Sequence, residues 1–212
     1  METNELIKAL AADTRPPPAS LSTVWWGAAA LAAAVAAAVF LATLAPRPDL
    51  AAAAGTLRFL FKFVVLLTLA LGAFGALRIL SRPEGDLRKT VPLLMASPIL
   101  LVAAVTLELF TTPSESWPER LMGTSNVYCF LLVMAIGLGP LSIFLLAMRH
   151  GAPSRSGIAG AVAGLLAGGI AGTIYVLHCT DDSPLFVATW YTLAIAGLSG
   201  LGALAAQRLV RW

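Results

Sequence analysis

Six long apolar runs constrain this chain more than any other feature: Thr23–Leu44, Leu57–Leu80, Val91–Phe110, Asn126–Met148, Gly157–His178 and Leu185–Ala206. Each has the length that a helix rising 1.5 Å per residue needs to cross a hydrocarbon layer of about 30 Å. None alternates with period two, so helices are expected rather than a barrel. One such run could be the core helix of a soluble domain. Six in 212 residues leave too little polar surface for that, because only 12 % of the residues are charged against about 25 % in ordinary soluble domains. A soluble enzyme and a reader of nucleic acid are therefore excluded. The first run is too long for a signal peptide and follows a Pro16-Pro17-Pro18 spacer. The fold class read from these runs is all-α: a polytopic membrane protein of six transmembrane helices.

The basic residues give an orientation. With the N-terminus inside, the inner side holds Lys8, Arg15, Arg78, Arg82, Arg88, Lys89, Arg149, Arg155, Arg208 and Arg211. The outer side then holds only Arg47, Arg58, Lys62 and Arg120. Short loops follow the positive-inside rule, so both termini are expected in the cytoplasm. Residues 1–22 form a cytoplasmic arm in this reading, and residues 23–212 the membrane domain.

Several polar and small residues inside the runs bear on packing. Gly160, Gly164, Gly168 and Gly172 recur every four residues and would line one helix face as a packing groove. Glycine is common in membrane helices, but this register favours the groove. Lys62 and Arg58 share a face near the outer end of the second run, and Glu108 lies near the outer end of the third. A Lys62–Glu108 or Arg58–Glu108 pair would lower the cost of these charges, as would snorkelling to the interface. No charge lies at mid-membrane, which argues against a pump or coupled transporter. Pro98 and Pro140 sit inside runs and are expected to kink them.

The chain has two cysteines. Counting along the fourth and fifth runs from their short connection brings Cys129 and Cys179 to nearly the same depth near the outer face. Two small buried apolar side chains would account for them. A disulfide is permitted by the spacing, and a transient soft metal ion is a second candidate, with Cys129, Cys179 and His178 as ligands and Asp181 and Asp182 following. No cofactor is otherwise required. A thiol oxidoreductase is disfavoured, because no Cys-x-x-Cys motif is present.

Residues 4–12 read as a short helix capped by Asn4, with Leu6, Ile7 and Leu10 on one stripe. Nine residues are too few for a stable isolated helix. Such a segment orders against a partner groove or lies on the membrane surface.

Taken in order, Glu5 through Asp13, Cys129 to Pro140, Arg149-His150-Gly151-Ala152-Pro153, the glycine ladder, and Leu177-His178-Cys179 leading to Trp190-Tyr191 resemble the NrsF-type anti-sigma factors. These are six-span bacterial inner-membrane proteins that negatively regulate an extracytoplasmic-function sigma factor. The resemblance implies that the arm, through Glu5, Leu6, Ile7 and Leu10, holds the sigma factor at the membrane. It also implies that Cys129 and Cys179 sense heavy-metal or oxidative stress and that the sigma factor is then released. A relay through Pro140 to Arg149 and His150 would connect the two ends. The expected partners are the sigma factor and the bilayer, with no direct contact to nucleic acid. No function is carried onto the Glu115–Arg120 loop. A small transporter or a membrane thiol-redox protein is the alternative.

Overall fold

The computed structural model describes residues 3–12, 20–83 and 85–209. Helix α1 spans Thr3–Ala12. Six apolar helices follow: α2 (Leu21–Thr43), α3 (Leu57–Leu80), α4 (Val91–Thr111), α5 (Asn126–Ala147, continued by a tight turn to His150), α6 (Ser156–Tyr175) and α7 (Pro184–Leu209). All six are long and apolar enough to cross a bilayer, which makes this a multi-pass all-α membrane protein.

Local chemistry sets where these helices begin. Ser20 accepts a hydrogen bond from the Thr23 amide at 3.2 Å and Thr56 one from the Phe59 amide at 3.4 Å, capping α2 and α3. Ser183 does the same for the Leu185 amide, with Pro184 in the first turn of α7. The chain continues as a helix through Pro98 in α4 and Pro140 in α5.

Helix α6 is the hub, packed against α3, α5 and α7, while α2 leans on α5 and α4 lies mainly against α3, with a smaller contact to the start of α7. Of its most apolar window, 61 % is buried in α6 and 11 % in α4, which separates the central helix from the peripheral one. Small side chains allow this. A Cβ on Gly160 would collide with the Gly202 carbonyl of α7, and one on Gly164 with the Leu198 carbonyl. Gly168 faces the Ile195 side chain, and Gly172 faces Leu66 of α3. A second small face was not singled out in the sequence: a Cβ on Gly169 would stand 3.0 Å from the Ala70 backbone of α3. Helix α6 therefore meets neighbours closely on two sides.

The bundle has two chemically different ends. The end where α2 begins carries Arg78, Arg82, Arg88, Lys89, Arg149 and Arg155; it is the arm end. The opposite end, where α6 gives way to Cys179, is the cysteine end. At the arm end the backbone after α5 docks onto α3, the Ala152 amide donating to the Ser81 carbonyl at 3.1 Å. Arg149 and His150, the expected relay residues, are exposed in the adjoining turn.

Candidate functional site: the pinned cysteine turn

The segment from Val176 to Ser183 joins α6 to α7 and carries Cys179. Three neighbouring segments hold it. In the α2–α3 connection, Arg47 forms a two-pronged contact with Asp49 (2.7 and 2.8 Å) and reaches Asp182 at 2.8 Å and the Cys179 carbonyl at 3.2 Å. The Arg47 amide donates to the Leu177 carbonyl at 2.8 Å. The His178 ring Nδ1 lies 2.7 Å from the Ala45 carbonyl. From α3, Lys62 sends its ammonium to the Cys179 carbonyl (3.3 Å), the Asp181 carbonyl (3.0 Å) and the Asp182 carboxylate (3.1 Å). That equals its three donors. Lys62 is 1 % exposed and stands 5.4 Å from the centre of the Tyr191 ring.

Asp181 serves the third contact. Its carboxylate accepts from the Thr124 amide (3.1 Å), the Ser125 amide (3.1 Å) and the Thr124 hydroxyl (3.2 Å), and so caps the start of α5 from another loop. Gly123 makes this approach feasible. It has φ +57°, and a Cβ there would meet the Phe186 ring and the Asp181 carboxylate. A short helix, Trp117–Met122, ends at this glycine.

A second anchor lies beside the first. Glu108 of α4 is 4 % exposed. It accepts from Arg120 at 3.0 Å, from the Ser183 hydroxyl at 2.8 Å and from the Leu185 amide at 3.1 Å, with Arg58 at 3.9 Å. Arg58 and Glu108 thus approach as one of the sequence alternatives had it. Lys62 and Glu108 do not pair; Lys62 turns to Asp182 instead. Arg120, in a loop to which no role was given, supplies the closer cation.

The electrostatics follow the geometry. The paired donors of Arg47 hold the Asp49 carboxyl below its ordinary range. Contact with the Cys129 thiol, aided by the Lys62 ammonium, holds the Cys179 thiol below the usual thiol range against the opposing effect of burial. Cys129, one turn into α5, is wholly buried, and Cys179 is 1 % exposed. Tyr191 stands in a single π-helical turn, Val187–Tyr191, within α7. Its buried hydroxyl has no hydrogen-bond partner of good geometry among the described residues.

This arrangement corrects the expected cofactor. A transient metal ion on Cys129, Cys179 and His178, or a disulfide between the two thiols, is not what the site holds. Both cysteines are free thiols, and among the described residues no group of three or more His, Cys, Asp or Glu side chains could hold a metal. The reason is local. Asp181 is taken up by the start of α5, Asp182 by Arg47 and Lys62, and the His178 ring by Ala45. The Cys179 sulfur lies 3.8 Å from the Asp181 carbonyl, in a backbone fixed by three segments.

Sequence reasoning missed Arg47, Asp181, Asp182 and Arg120 as members of this network. The one local signal was Arg47-Pro48-Asp49, an opposite-charge pair bracketing a proline at a membrane edge. The partners of Lys62, and those of Arg47 other than Asp49, lie more than a hundred residues away, and no spacing rule reaches that far.

Comparison with known proteins points to one family. A family model described as "NrsF: Negative regulator of sigma F" matches residues 10–212. The protein named anti-sigma-F factor NrsF from Caulobacter vibrioides is 34 % identical over 220 residues, covering all of both chains. A probable anti-sigma-F factor NrsF from Azospira oryzae is 33 % identical over 177 residues, covering 82 % of each. No solved structure matches. The relatives are regulators, so a non-catalytic reading holds for this chain as well. With a family model spanning nearly its whole length and a relative aligned end to end, the chain belongs to the NrsF family of negative regulators of sigma F.

Proposed function

We propose that this protein is a membrane-bound anti-sigma factor that sequesters an extracytoplasmic-function sigma factor at a bacterial inner membrane, both of its own termini facing the cytoplasm. The observation that carries this reading is the end-to-end similarity to a protein named for that role. The arm is the segment suited to the partner. Helix α1 has ten residues, too few to persist alone in water, and Ile7 is 57 % exposed. Glu5 and Ile7 present a charge and an apolar group to the solvent; the Leu6 and Leu10 side chains lie outside the described ones. A sigma factor that supplies the missing groove would order this helix on binding.

The release signal enters at the cysteine end in this account, under heavy-metal or oxidative stress. Cys129 and Cys179 have essentially no exposed surface, so any added atom must displace a neighbour. Hydrogen peroxide transferring one oxygen to the Cys179 thiol yields a sulfenic acid and releases water. The enlarged, more polar side chain then disturbs the turn that Arg47 and Lys62 pin. Helices α5 and α6 carry the disturbance through Pro140 to Arg149 and His150 at the arm end, provided that two packings of the bundle exist for it to bias.

One deletion and one double substitution test the reading. Removing residues 1–13 is expected to free the sigma factor and raise target transcription without stress; continued repression would move the binding surface to the basic loops. The double variant C129S/C179S is expected to insert and repress normally while transcription ceases to respond to stress. A normal response in that variant would remove the cysteines from sensing.

A further inference from the structure

Positive charge is treated differently at the two ends of the bundle. At the cysteine end Arg47, Arg58, Lys62 and Arg120 all stand within 4 Å of a carboxylate. At the arm end, among the described residues, Arg78, Arg82, Arg88 and Lys89 form no ion pair. The sequence between positions 78 and 89 holds these four cations and two acidic residues, and the carboxylate of Asp86 is already used by the Arg88 amide at 2.9 Å.

These cations surround a hollow. A cavity of about 640 Å³ is lined by Gly75, Arg78, Ile79, Arg82, Asp86 and Lys89. A second of about 320 Å³ shares Gly85 and Asp86 with it and adds Arg88 and Arg155. Gly75 and Ile79 contribute apolar lining, the Leu93 side chain packs beside Gly75, and Leu71, Leu93 and Met95 are exposed on the outer surfaces of α3 and α4. Arg78 is already positioned. Its guanidinium lies 5.9 Å from the ring centre of Trp26 and 5.7 Å from that of Phe74, and it contacts Ser22 at 3.4 Å. Its remaining donors are available to an anion. Trp26 is 59 % exposed, as aromatic residues at a headgroup layer commonly are.

We propose that this groove binds the phosphate headgroup of an anionic phospholipid, with Arg78, Arg82 and Lys89 on the phosphate and an acyl chain along Leu71 and Leu93. Basic pockets at the ends of transmembrane helices select anionic headgroups in this way. A lipid fits better than a soluble anion, because the cations stand at the rim of an apolar, lipid-facing surface and not in an enclosed polar cavity. The site lies at the root of the arm, beside Ser22 and Trp26. The inference is independent of the sigma-factor reading, since it requires only that this end of the bundle meets headgroups.

Full-length protein in detergent, titrated with phosphatidylglycerol and followed by native mass spectrometry, tests it. Phosphatidylglycerol is expected to stay bound under conditions that strip phosphatidylcholine. Loss of one cation at a headgroup layer corresponds to about five-fold in affinity, so R82Q/K89Q is expected to weaken phosphatidylglycerol binding about 25-fold. Arg208→Gln, at an exposed cation outside the groove, is expected to leave it unchanged. Equal retention of the two lipids, or undiminished binding by R82Q/K89Q, overturns the proposal. Glycerol 3-phosphate competing as well as the lipid would mean a soluble phosphate site and overturn the lipid assignment. Loss of sigma-factor co-purification in R82Q/K89Q with lipid binding intact would mark the groove as a protein contact and overturn it too.

Discussion

Lys62 shows how a charge is made tolerable near the edge of a hydrocarbon layer. It does not snorkel; it ends on two carbonyls and a carboxylate that belong to the turn it holds. Removing one partner of a buried pair strands the other, at a cost of about 3–5 kcal/mol. Lys62→Met is therefore expected to destabilise the protein by several kcal/mol, read as a lowered thermal midpoint in detergent. Lys62→Met combined with Asp182→Asn is expected to recover part of the loss; no recovery would mean that the two side chains do not act as a pair. Asp49 gives a prediction in pH. Its folded pKa lies below the unfolded one, so its pairing with Arg47 contributes stability above the ordinary carboxylate value of about 4 and loses it as pH falls through the lowered value. Asp49→Asn is expected to flatten that acid limb of the stability profile. An unchanged limb would show that the Arg47 contact contributes nothing to folding.

At the scale of elements, the spans were legible because the bilayer imposes their length. The run Leu57–Leu80 coincides with α3 to the residue, and the other boundaries differ by up to three residues. The glycine spacing in α6 pointed to one face, yet only the three-dimensional packing shows Gly202 opposite Gly160 and a second contact at Gly169. Periodicity could not reveal the π-helical turn in α7, nor the capping of α5 by Asp181, which joins positions 57 residues apart. The packing account gives a comparison. Gly164 meets α7 backbone, which cannot yield, whereas Gly27 in α2 has open space around it. Overpacking a fitted interior costs about 1–3 kcal/mol, and more where backbone must move. Gly164→Leu is thus expected to lower the thermal midpoint well below that of Gly27→Leu. Equal midpoints would contradict close packing of α6 on α7.

At the scale of the whole molecule, the two ends of one bundle differ in chemistry. The cysteine end is tied down by a network of ion pairs, and at the arm end, among the described residues, Arg78, Arg82, Arg88 and Lys89 form none. That contrast was half visible in the sequence: the basic bias set the two ends apart, while the network that neutralises Arg47, Arg58, Lys62 and Arg120 required the fold. The orientation itself is checked by an N-terminal reporter, expected to signal from the cytoplasm. In the proposed function the arm holds a sigma factor. Co-purification from native membranes tests it most directly, comparing the full chain with residues 14–212. The sigma factor is expected to accompany the full chain and to be absent from the shortened one; its equal recovery with both would contradict the claim.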